Sequence, residues 1–203
     1  MVVSGTAPRV GLFGGAFDPP HVAHVALAEA AVRQFQLDVL YVVPTGRAWH
    51  KARNLTGAEH RLTMAQLAFK PVTRAVVDER EILRPGPTYT IDTLRELARD
   101  LPGARLHLLM GEDQAASFTA WREWEDIARL AELCVARRGA QETDGVAALR
   151  ALPGARVHDL QLPRMGESAT DIRTKLAAGQ DITRLVPAGV ASYIERHRLY
   201  LTP

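Results

Sequence analysis

The sequence predicts an α/β fold in which a mostly parallel sheet is covered by helices on both faces. Short apolar segments of strand length alternate along the chain with longer segments in which apolar residues recur at helical spacing. The strand segments are apolar at consecutive positions, which is typical of strands that are buried on both faces. Because segments of helical length separate the strands, we expect right-handed crossovers between parallel neighbours.

Six segments are predicted to be strands, and turn-forming residues follow several of them. Gly14 and Gly15 follow the first strand, Pro44 follows the second, and Gly111 follows the fourth. The predicted strands cover residues 9–13, 39–43, 75–77, 105–110, 133–136 and 156–158. In parallel sheets, ligands bind at the carboxyl ends of strands near the point where the strand order reverses. The segments after the first, second and fourth strands are therefore expected at a binding edge.

Helices are predicted between these strands from apolar spacing and from the residues that end each segment. Residues 25–36 are rich in alanine and lack glycine and proline, and residues 58–69 have helical spacing of apolar side chains. Residues 91–100 form a third predicted helix, which ends before a Pro-Gly pair. A fourth is expected to begin near Ser168 and to end at Gly179.

The composition fits one ordinary domain. The chain has 203 residues, of which 47% are hydrophobic and 24% charged, and a chain of this length buries about 70% of its unfolded surface. We expect residues 1–8 to be a loose leader and residues 9–203 to form a single domain. The formal net charge of +2 does not favour a nucleic-acid partner, and no apolar run is long enough to span a membrane.

The single cysteine indicates a reducing compartment. Cys134 lies in an apolar run, which is typical of a buried thiol without a disulfide partner. We therefore expect a cytoplasmic protein. The sequence leaves the oligomeric state open.

The segment from Gly14 to His24 has the composition of a phosphate-binding site. Its two glycines allow a ligand close to the backbone, and Pro19 and Pro20 fix the entry to the helix. His21 and His24 are expected to point the same way at a helix start, where N–H groups attract anions. In the alternative interpretation the histidines only cap or pack the helix. A zinc site is less favoured, because no second cysteine or matching histidine pair exists, and neither a dinucleotide nor a Walker fingerprint is present.

Two later segments carry cations and hydroxyls, and each also has a structural interpretation. His50 and Lys51 lie in the loop after the second strand, where a solvated basic loop is the alternative. Ser168 and Asp171 fit a capping box, which does not account for Arg173. Together with the hydroxyl of Thr170, that guanidinium at a helix start would suit a triphosphate.

Two further segments suit a planar, anionic group. Thr90 is expected to be the N-cap of the helix over residues 91–100, and an N-cap leaves amides for a carboxylate. Trp121 and Trp124 are three residues apart and are expected to share one face of a helical stretch. Buried tryptophans usually belong to a core, but a tryptophan can also support a planar ring.

These motifs resemble those of the bacterial nicotinate-mononucleotide adenylyltransferases, which belong to the H-x-G-H nucleotidyltransferase superfamily. Residues 14–24 resemble the segment G-G-x-F-D-P-x-H-x-G-H, and residues 167–173 resemble the motif I-S-S/A-T-x-I-R. The family often has threonine at the position of Ala16, glycine at Ala23 and an apolar residue at Glu167. The resemblance covers residues 11–200 and implies a single Rossmann-like domain.

The resemblance also implies a role for each motif. The residues implied in catalysis are His21, His24, Lys51 and Arg173. Those implied in ATP binding are Gly14, Gly15, Phe17, His21, His24, Gly111, Asp113, Ser168, Thr170 and Arg173. Those implied in mononucleotide binding are Asp18, His50, Lys51, Tyr89, Thr90 and Trp121, whereas Trp124 is left to the core. No protein ligand for a metal is implied, and Mg²⁺ is expected to arrive with ATP.

The implied reaction joins nicotinate mononucleotide to ATP and gives deamido-NAD and pyrophosphate. One alternative is an enzyme of the same fold that prefers nicotinamide mononucleotide. A second is phosphopantetheine adenylyltransferase, which Trp121 and the chain length disfavour. A third is a non-catalytic nucleotide-binding or RNA-binding module, which the small net charge and the lack of a Lys-Met-Ser-Lys-Ser-like segment disfavour.

Overall fold

A computed structural model describes residues 7–46, 55–137, 143–162, 166 and 168–201. Within these residues the strands are β1 (Arg9–Gly15), β2 (Val39–Pro44), β3 (Ala75–Val77), β4 (Arg105–Gly111), β5 (Ala131–Arg137) and β6 (Arg156–Gln161). They form one sheet in the order β3-β2-β1-β4-β5-β6, and every neighbouring pair is parallel. The predicted α/β fold is confirmed, with a sheet that is parallel throughout these pairs.

Helices cover both faces of this sheet. In the described part of the chain they are α1 (Val22–Gln34), α2 (Ala58–Phe69), α3 (Arg80–Leu83), α4 (Thr90–Asp100), α5 (Glu112–Ala116), α6 (Trp124–Leu130), α7 (Asp144–Arg150), α8 (Ala169–Ala177) and α9 (Ala188–His197). A 3₁₀ turn, Phe118–Ala120, lies between α5 and α6.

Two apolar clusters form the core, one on each face. In β1, Leu12 belongs to the cluster that α4 to α7 complete, whereas Phe13 belongs to the cluster that α1, α2, α8 and α9 complete. Both side chains are less than 5% exposed, as expected for a strand covered on both faces. The sheet is therefore held between two helical layers, and its carboxyl edge is left for a site.

Several elements differ from the sequence prediction. Helix α1 begins at Val22 rather than at residue 25, because His21 acts as its N-cap with extended backbone angles. Helix α4 begins at Thr90, so its N-cap is Tyr89 and not Thr90 as predicted. Short helices α3, α5, α6 and α7 have too few turns to give a clear apolar repeat, and the sequence did not predict them.

The prediction that Trp121 and Trp124 share a helical stretch is wrong. Trp121 has extended backbone angles after the 3₁₀ turn, and Glu123 has a left-handed conformation with φ of 53°. Helix α6 begins only at Trp124. A break in the helical backbone therefore separates the two rings, so each can pack in a different environment.

Pairing with β4 begins just before β1. The carbonyl of Pro8 accepts a hydrogen bond from the Arg105 N–H at 2.7 Å, so pairing with β4 starts one residue before β1. Residues 1–6 lie outside the described part, and the loose leader stays a prediction. No helix in the described ranges is both long and apolar enough to cross a membrane.

Candidate active site

The carboxyl ends of β1, β2 and β4 meet at one edge of the sheet. The strand order reverses between β1 and β4, and such a switch point opens a crevice in parallel sheets. A cavity of about 310 Å³ lies there. Five of the predicted site residues line it: Gly14, Gly15, Tyr89, Thr90 and Trp121.

The two histidines lie against each other at the start of α1. Their ring centroids are 3.7 Å apart, and Nδ1 of His24 accepts a hydrogen bond from the backbone N–H of His21 at 3.1 Å. Because that nitrogen is an acceptor, the neutral His24 ring carries its proton on Nε2. The ring can therefore donate from its far side to an anion.

The ring of Phe17 packs against the ring of His24. Phe17 is 2% exposed and has φ of 47°. Its ring packs edge-on against the rings of His24, Phe13 and Phe69, with centroid distances of 5.2 to 5.4 Å. The rings of Phe13 and Phe69 also contact each other, at 6.1 Å. A Cβ on Gly15 would lie 2.9 Å from the Phe17 ring. Glycine is therefore required at position 15 by packing, and Phe17 supports a site residue from the core.

Arg173 reaches the amino-terminal motif from α8. Its Nη1 donates to the carbonyl oxygen of Asp18 at 2.8 Å, and its Nη2 donates to Thr170 Oγ1 at 3.0 Å. The N-cap of α8 is Ser168, whose Oγ accepts from the Asp171 N–H at 3.1 Å, as the capping-box pattern predicts. The start of α8 and the loop that leads to His21 are thus in direct contact.

The carboxylate of Asp18 is part of the frame of the site. Asp18 is 2% exposed, and its carboxylate accepts from the Tyr200 hydroxyl at 2.6 Å and from the Thr56 N–H at 3.3 Å. Burial, together with the charge of Asp18, raises the pKa of Tyr200 well above its usual value, so the hydroxyl stays a donor. These contacts hold the Asp18 carboxylate in place, and its predicted role in mononucleotide binding stays a prediction.

Arg61 is a structural residue of the site that the sequence analysis missed. It is 2% exposed and donates to the backbone carbonyls of Thr56, Ala16 and Thr45 at 2.7 to 3.0 Å. One guanidinium therefore ties the loop after β1 to the loop after β2. The signal was available, because Arg61 falls on the buried face of α2 at helical spacing from Met64, Ala65 and Ala68.

A buried carboxylate that the sequence did not predict lies next to the first turn of α4. Glu81 lines the cavity at 7% exposure and accepts from the Thr93 hydroxyl at 2.8 Å. Arg84 donates to the same hydroxyl at 3.2 Å and pairs with Glu96 at 2.7 Å. Burial raises the pKa of Glu81, which the hydrogen bond from Thr93 partly opposes.

The aromatic side of the cavity is formed by Trp121, Tyr89 and a neighbouring arginine. Trp121 packs on Phe118 at 5.6 Å between ring centroids. The guanidinium carbon of Arg122 lies 4.6 Å from the centre of the Tyr89 ring, and Arg122 also lines the cavity. Trp124 is absent from the cavity lining and packs against the core cluster of α4 to α7.

The remaining predicted residues lie at the rim or outside the described ranges. Gly111 ends β4, and its N–H donates to the Gln114 side chain at 3.0 Å. Asp113 is exposed in the first turn of α5, next to the cavity-lining Gln114. His50, Lys51 and Glu167 lie outside the described residues.

Comparison with known proteins places this fold and motif set in a family. The cytidylyltransferase-like family profile matches residues 12–175. A protein of Albidiferax ferrireducens, named a probable nicotinate-nucleotide adenylyltransferase, is 50% identical over 195 residues, which cover 96% of this chain and 98% of that protein. The chain belongs to the nicotinate-nucleotide adenylyltransferase family.

Solved structures of this family share the fold. The nicotinic acid mononucleotide adenylyltransferase of Plasmodium falciparum, complexed with APC, has a TM-score of 0.80 at 19% identity and covers 97% of this chain and 98% of its own. The same enzyme complexed with NaAD has a TM-score of 0.79 with the same coverage. The predicted family is confirmed by the relatives, and the predicted fold by these structures.

Proposed function

We propose that this adenylyltransferase transfers the adenylyl group of ATP to nicotinate mononucleotide, which gives deamido-NAD and pyrophosphate. The observation that carries the proposal is the contact between Arg173 and the carbonyl of Asp18, because it joins the two phosphate-binding motifs beside the histidine pair. The relative that shares half of its sequence with this chain carries the name of that activity. A Plasmodium falciparum structure of the same fold holds NaAD.

We assign the triphosphate to the open face around the start of α1. His24 offers a donor from Nε2, and His21 lies beside it at the N-cap. Arg173, with the hydroxyl of Thr170 and the first turn of α8, adds charge and further donors. Gly14 has open space around its Cβ position, which leaves room for a phosphate chain against the backbone.

We assign the mononucleotide to the cavity between β1 and β4. Its wall includes the ring of Trp121, which suits a planar pyridine, and the start of α4 at Thr90, which suits a carboxylate. Asp113, at the rim, is assigned to the ribose hydroxyls of ATP, and His50 and Lys51 are assigned to the phosphates. The last two assignments rest on the resemblance of the motif alone.

The chemistry follows from bringing two polyanions together. A phosphate oxygen of the mononucleotide attacks the α-phosphorus of ATP in line, a new P–O bond forms, and the bond to the pyrophosphate oxygen breaks. No covalent enzyme intermediate is required, so the protein acts by positioning and by stabilising charge on the oxygens. Donors from His21, His24 and Arg173 are aimed at that charge, and Lys51 is expected to add to them.

Mg²⁺ belongs to the proposal as a companion of ATP. Among the described residues, no group of three or more His, Cys, Asp or Glu side chains could hold a metal ion. We expect an ion held mainly by the phosphate oxygens of ATP and by water, which would offset negative charge during transfer. We also propose one domain over residues 9–203 and a cytoplasmic location, where ATP is available.

An assay with purified protein, ATP and magnesium tests the proposal. Pyrophosphate and deamido-NAD should form with nicotinate mononucleotide, and kcat/KM should be lower with nicotinamide mononucleotide. A higher kcat/KM for the amide would reject the acid substrate. Pyrophosphate formation with phosphopantetheine, or none with any acceptor, would reject the proposed activity.

A further inference from the structure

We propose that Arg122 determines specificity by distinguishing a negatively charged ring substituent on the mononucleotide from a neutral one. The inference rests on the proposed function, because it concerns the substrate assigned to the cavity between β1 and β4. It adds a residue to that site which the motifs do not include.

Arg122 packs over the ring of Tyr89. The guanidinium carbon lies 4.6 Å from the centre of the Tyr89 ring, within the range of a cation–π contact. Tyr89 is the N-cap of α4, and both residues line the cavity. The cation is therefore held next to the helix start that we assign to the carboxylate of the pyridine ring.

Arg122 lies in a backbone bend beside the cavity that it lines. Trp121 has extended backbone angles and Glu123 has φ of 53°, so Arg122 lies in a bend between the 3₁₀ turn and α6. Trp121, its neighbour in sequence, lines the same cavity. The flat ring proposed to support the pyridine and the cation proposed to sense its substituent are thus adjacent residues.

The charges that line the cavity determine how much Arg122 contributes to the attraction of an anion. Among the described residues that line it, the only ionisable acid or base side chains besides the tyrosine are Glu81 and Arg122. Glu81 accepts from the Thr93 hydroxyl, and the cation of Arg84, which donates to the same hydroxyl, offsets its charge. Arg122 therefore supplies the main attraction among these side chains for an added negative charge.

Glu123 sets the strength of that attraction. Its Oε1 lies 3.3 Å from Nε of Arg122, whereas its Oε2 pairs with Arg95 at 2.6 Å. The Arg122 side chain is 55% exposed, so water and salt screen its field, and we expect a moderate effect rather than a large one.

The test compares acid and amide mononucleotides, which differ only in the ring substituent. In Arg122→Gln, the ratio of kcat/KM for the acid to kcat/KM for the amide should fall about 3- to 10-fold, while kcat/KM for the amide stays within about twofold. Arg122→Lys keeps the charge and should keep most of the ratio. Arg99→Gln, an exposed position in the last turn of α4, is the matched control and should leave the ratio unchanged.

Different failures point to different conclusions. An unchanged acid-to-amide ratio in Arg122→Gln would overturn the inference. If kcat/KM also fell equally with both substrates, Arg122 would only pack on Tyr89. If the wild-type protein forms no dinucleotide from the acid, the proposed function fails and takes the inference with it. A wild-type enzyme that is active on the acid confines the failure to Arg122.

A second variant covers the case in which Arg122→Gln folds poorly. Glu123→Gln removes the carboxylate beside Arg122 and should raise the acid-to-amide ratio about twofold. Added salt should lower the wild-type ratio, because it screens the exposed cation. A ratio that is unchanged or lower in Glu123→Gln would count against the inference.

Discussion

Arg173 donates a hydrogen bond of 2.8 Å to the backbone carbonyl of Asp18, 155 residues earlier in the chain. The bond places a guanidinium from α8 beside the loop that leads into α1. His21, the N-cap of that helix, is three residues beyond the acceptor. Two motifs that are far apart in the sequence therefore form one face.

Replacing Arg173 should lower the rate according to how much of the guanidinium is lost. Arg173→Ala removes the charge and both hydrogen bonds, and we expect kcat to fall about 10²- to 10³-fold. Arg173→Lys keeps the charge but cannot reproduce the planar fork, so an intermediate loss of about tenfold is expected. Steady-state kinetics with varied ATP measure both effects. Lys175→Ala, in the last turn of α8, should stay within twofold.

Replacing His24 should affect the chemical step more than the fold. His24→Ala removes the Nε2 donor, and kcat should fall about 10²- to 10³-fold. His24→Gln can place an amide donor near the same point and should recover part of the loss. His60→Ala is the control, since His60 contacts Tyr193 between α2 and α9. Wild-type turnover in His24→Ala, with an unchanged circular dichroism spectrum, would reject the assignment.

The two glycines that end β1 should respond differently to alanine. In Gly15→Ala the new Cβ would meet the Phe17 ring at 2.9 Å, and that ring is packed against His24, Phe13 and Phe69. We expect a loss of about 1–3 kcal/mol in the free energy of unfolding, from overpacking. Activity should fall as well, because Phe17 supports His24.

Gly14→Ala is the matched variant for that experiment. Nothing lies within 4 Å of a Cβ built at Gly14, so the free energy of unfolding should stay within about 0.5 kcal/mol of wild type. Urea unfolding measures both variants. A Gly15→Ala protein as stable as Gly14→Ala would contradict the packing argument.

Removing the Tyr200 hydroxyl should destabilise the protein. Tyr200→Phe leaves a buried carboxylate oxygen of Asp18 without its 2.6 Å donor, which costs about 1–3 kcal/mol. Tyr193→Phe is the control, since its hydroxyl contacts His60 at a partly exposed position and should cost less. Urea unfolding at pH 7 compares the two, and equal losses would contradict the special place of Tyr200.

The same variant should change the alkaline stability profile. The pKa of Tyr200 is raised in the folded state, so the folded protein keeps a proton that the unfolded chain loses near pH 10. The resulting stability is complete below about pH 10 and is lost as the pH rises further. The difference in unfolding free energy between wild type and Tyr200→Phe should therefore shrink from pH 9 to pH 11. A difference that grows over this range would contradict the assignment of the shift to Tyr200.

The sheet and its binding edge were predictable because they depend on short-range patterns. Apolar runs ended by Gly15, Pro44 and Gly111 are visible in the sequence, and parallel connection rules then put their ends together. The capping box at Ser168 was predictable for the same reason, since its partners are three residues apart.

The parts that were missed depend on contacts between distant segments. The backbone acceptors of Arg61 come from two loops, after β1 and after β2, and the proximity of Glu81 to the cavity depends on the contact between α3 and α4. Trp121 was placed on a helix because residue spacing does not reveal the left-handed backbone at Glu123. Its place beside the site was predicted, whereas that of Arg122 in the cavity lining follows only from the fold.

The bond between Asp18 and Tyr200 has a consequence for the order of events at the ribosome. The loop that leads to His21 is made early, but the hydroxyl that fixes its buried carboxylate is made 182 residues later. Until that tyrosine has left the exit tunnel, the Asp18 carboxylate lacks the hydroxyl donor that it has in the folded protein. Completion of the loop that leads to His21 therefore waits for the segment that carries Tyr200.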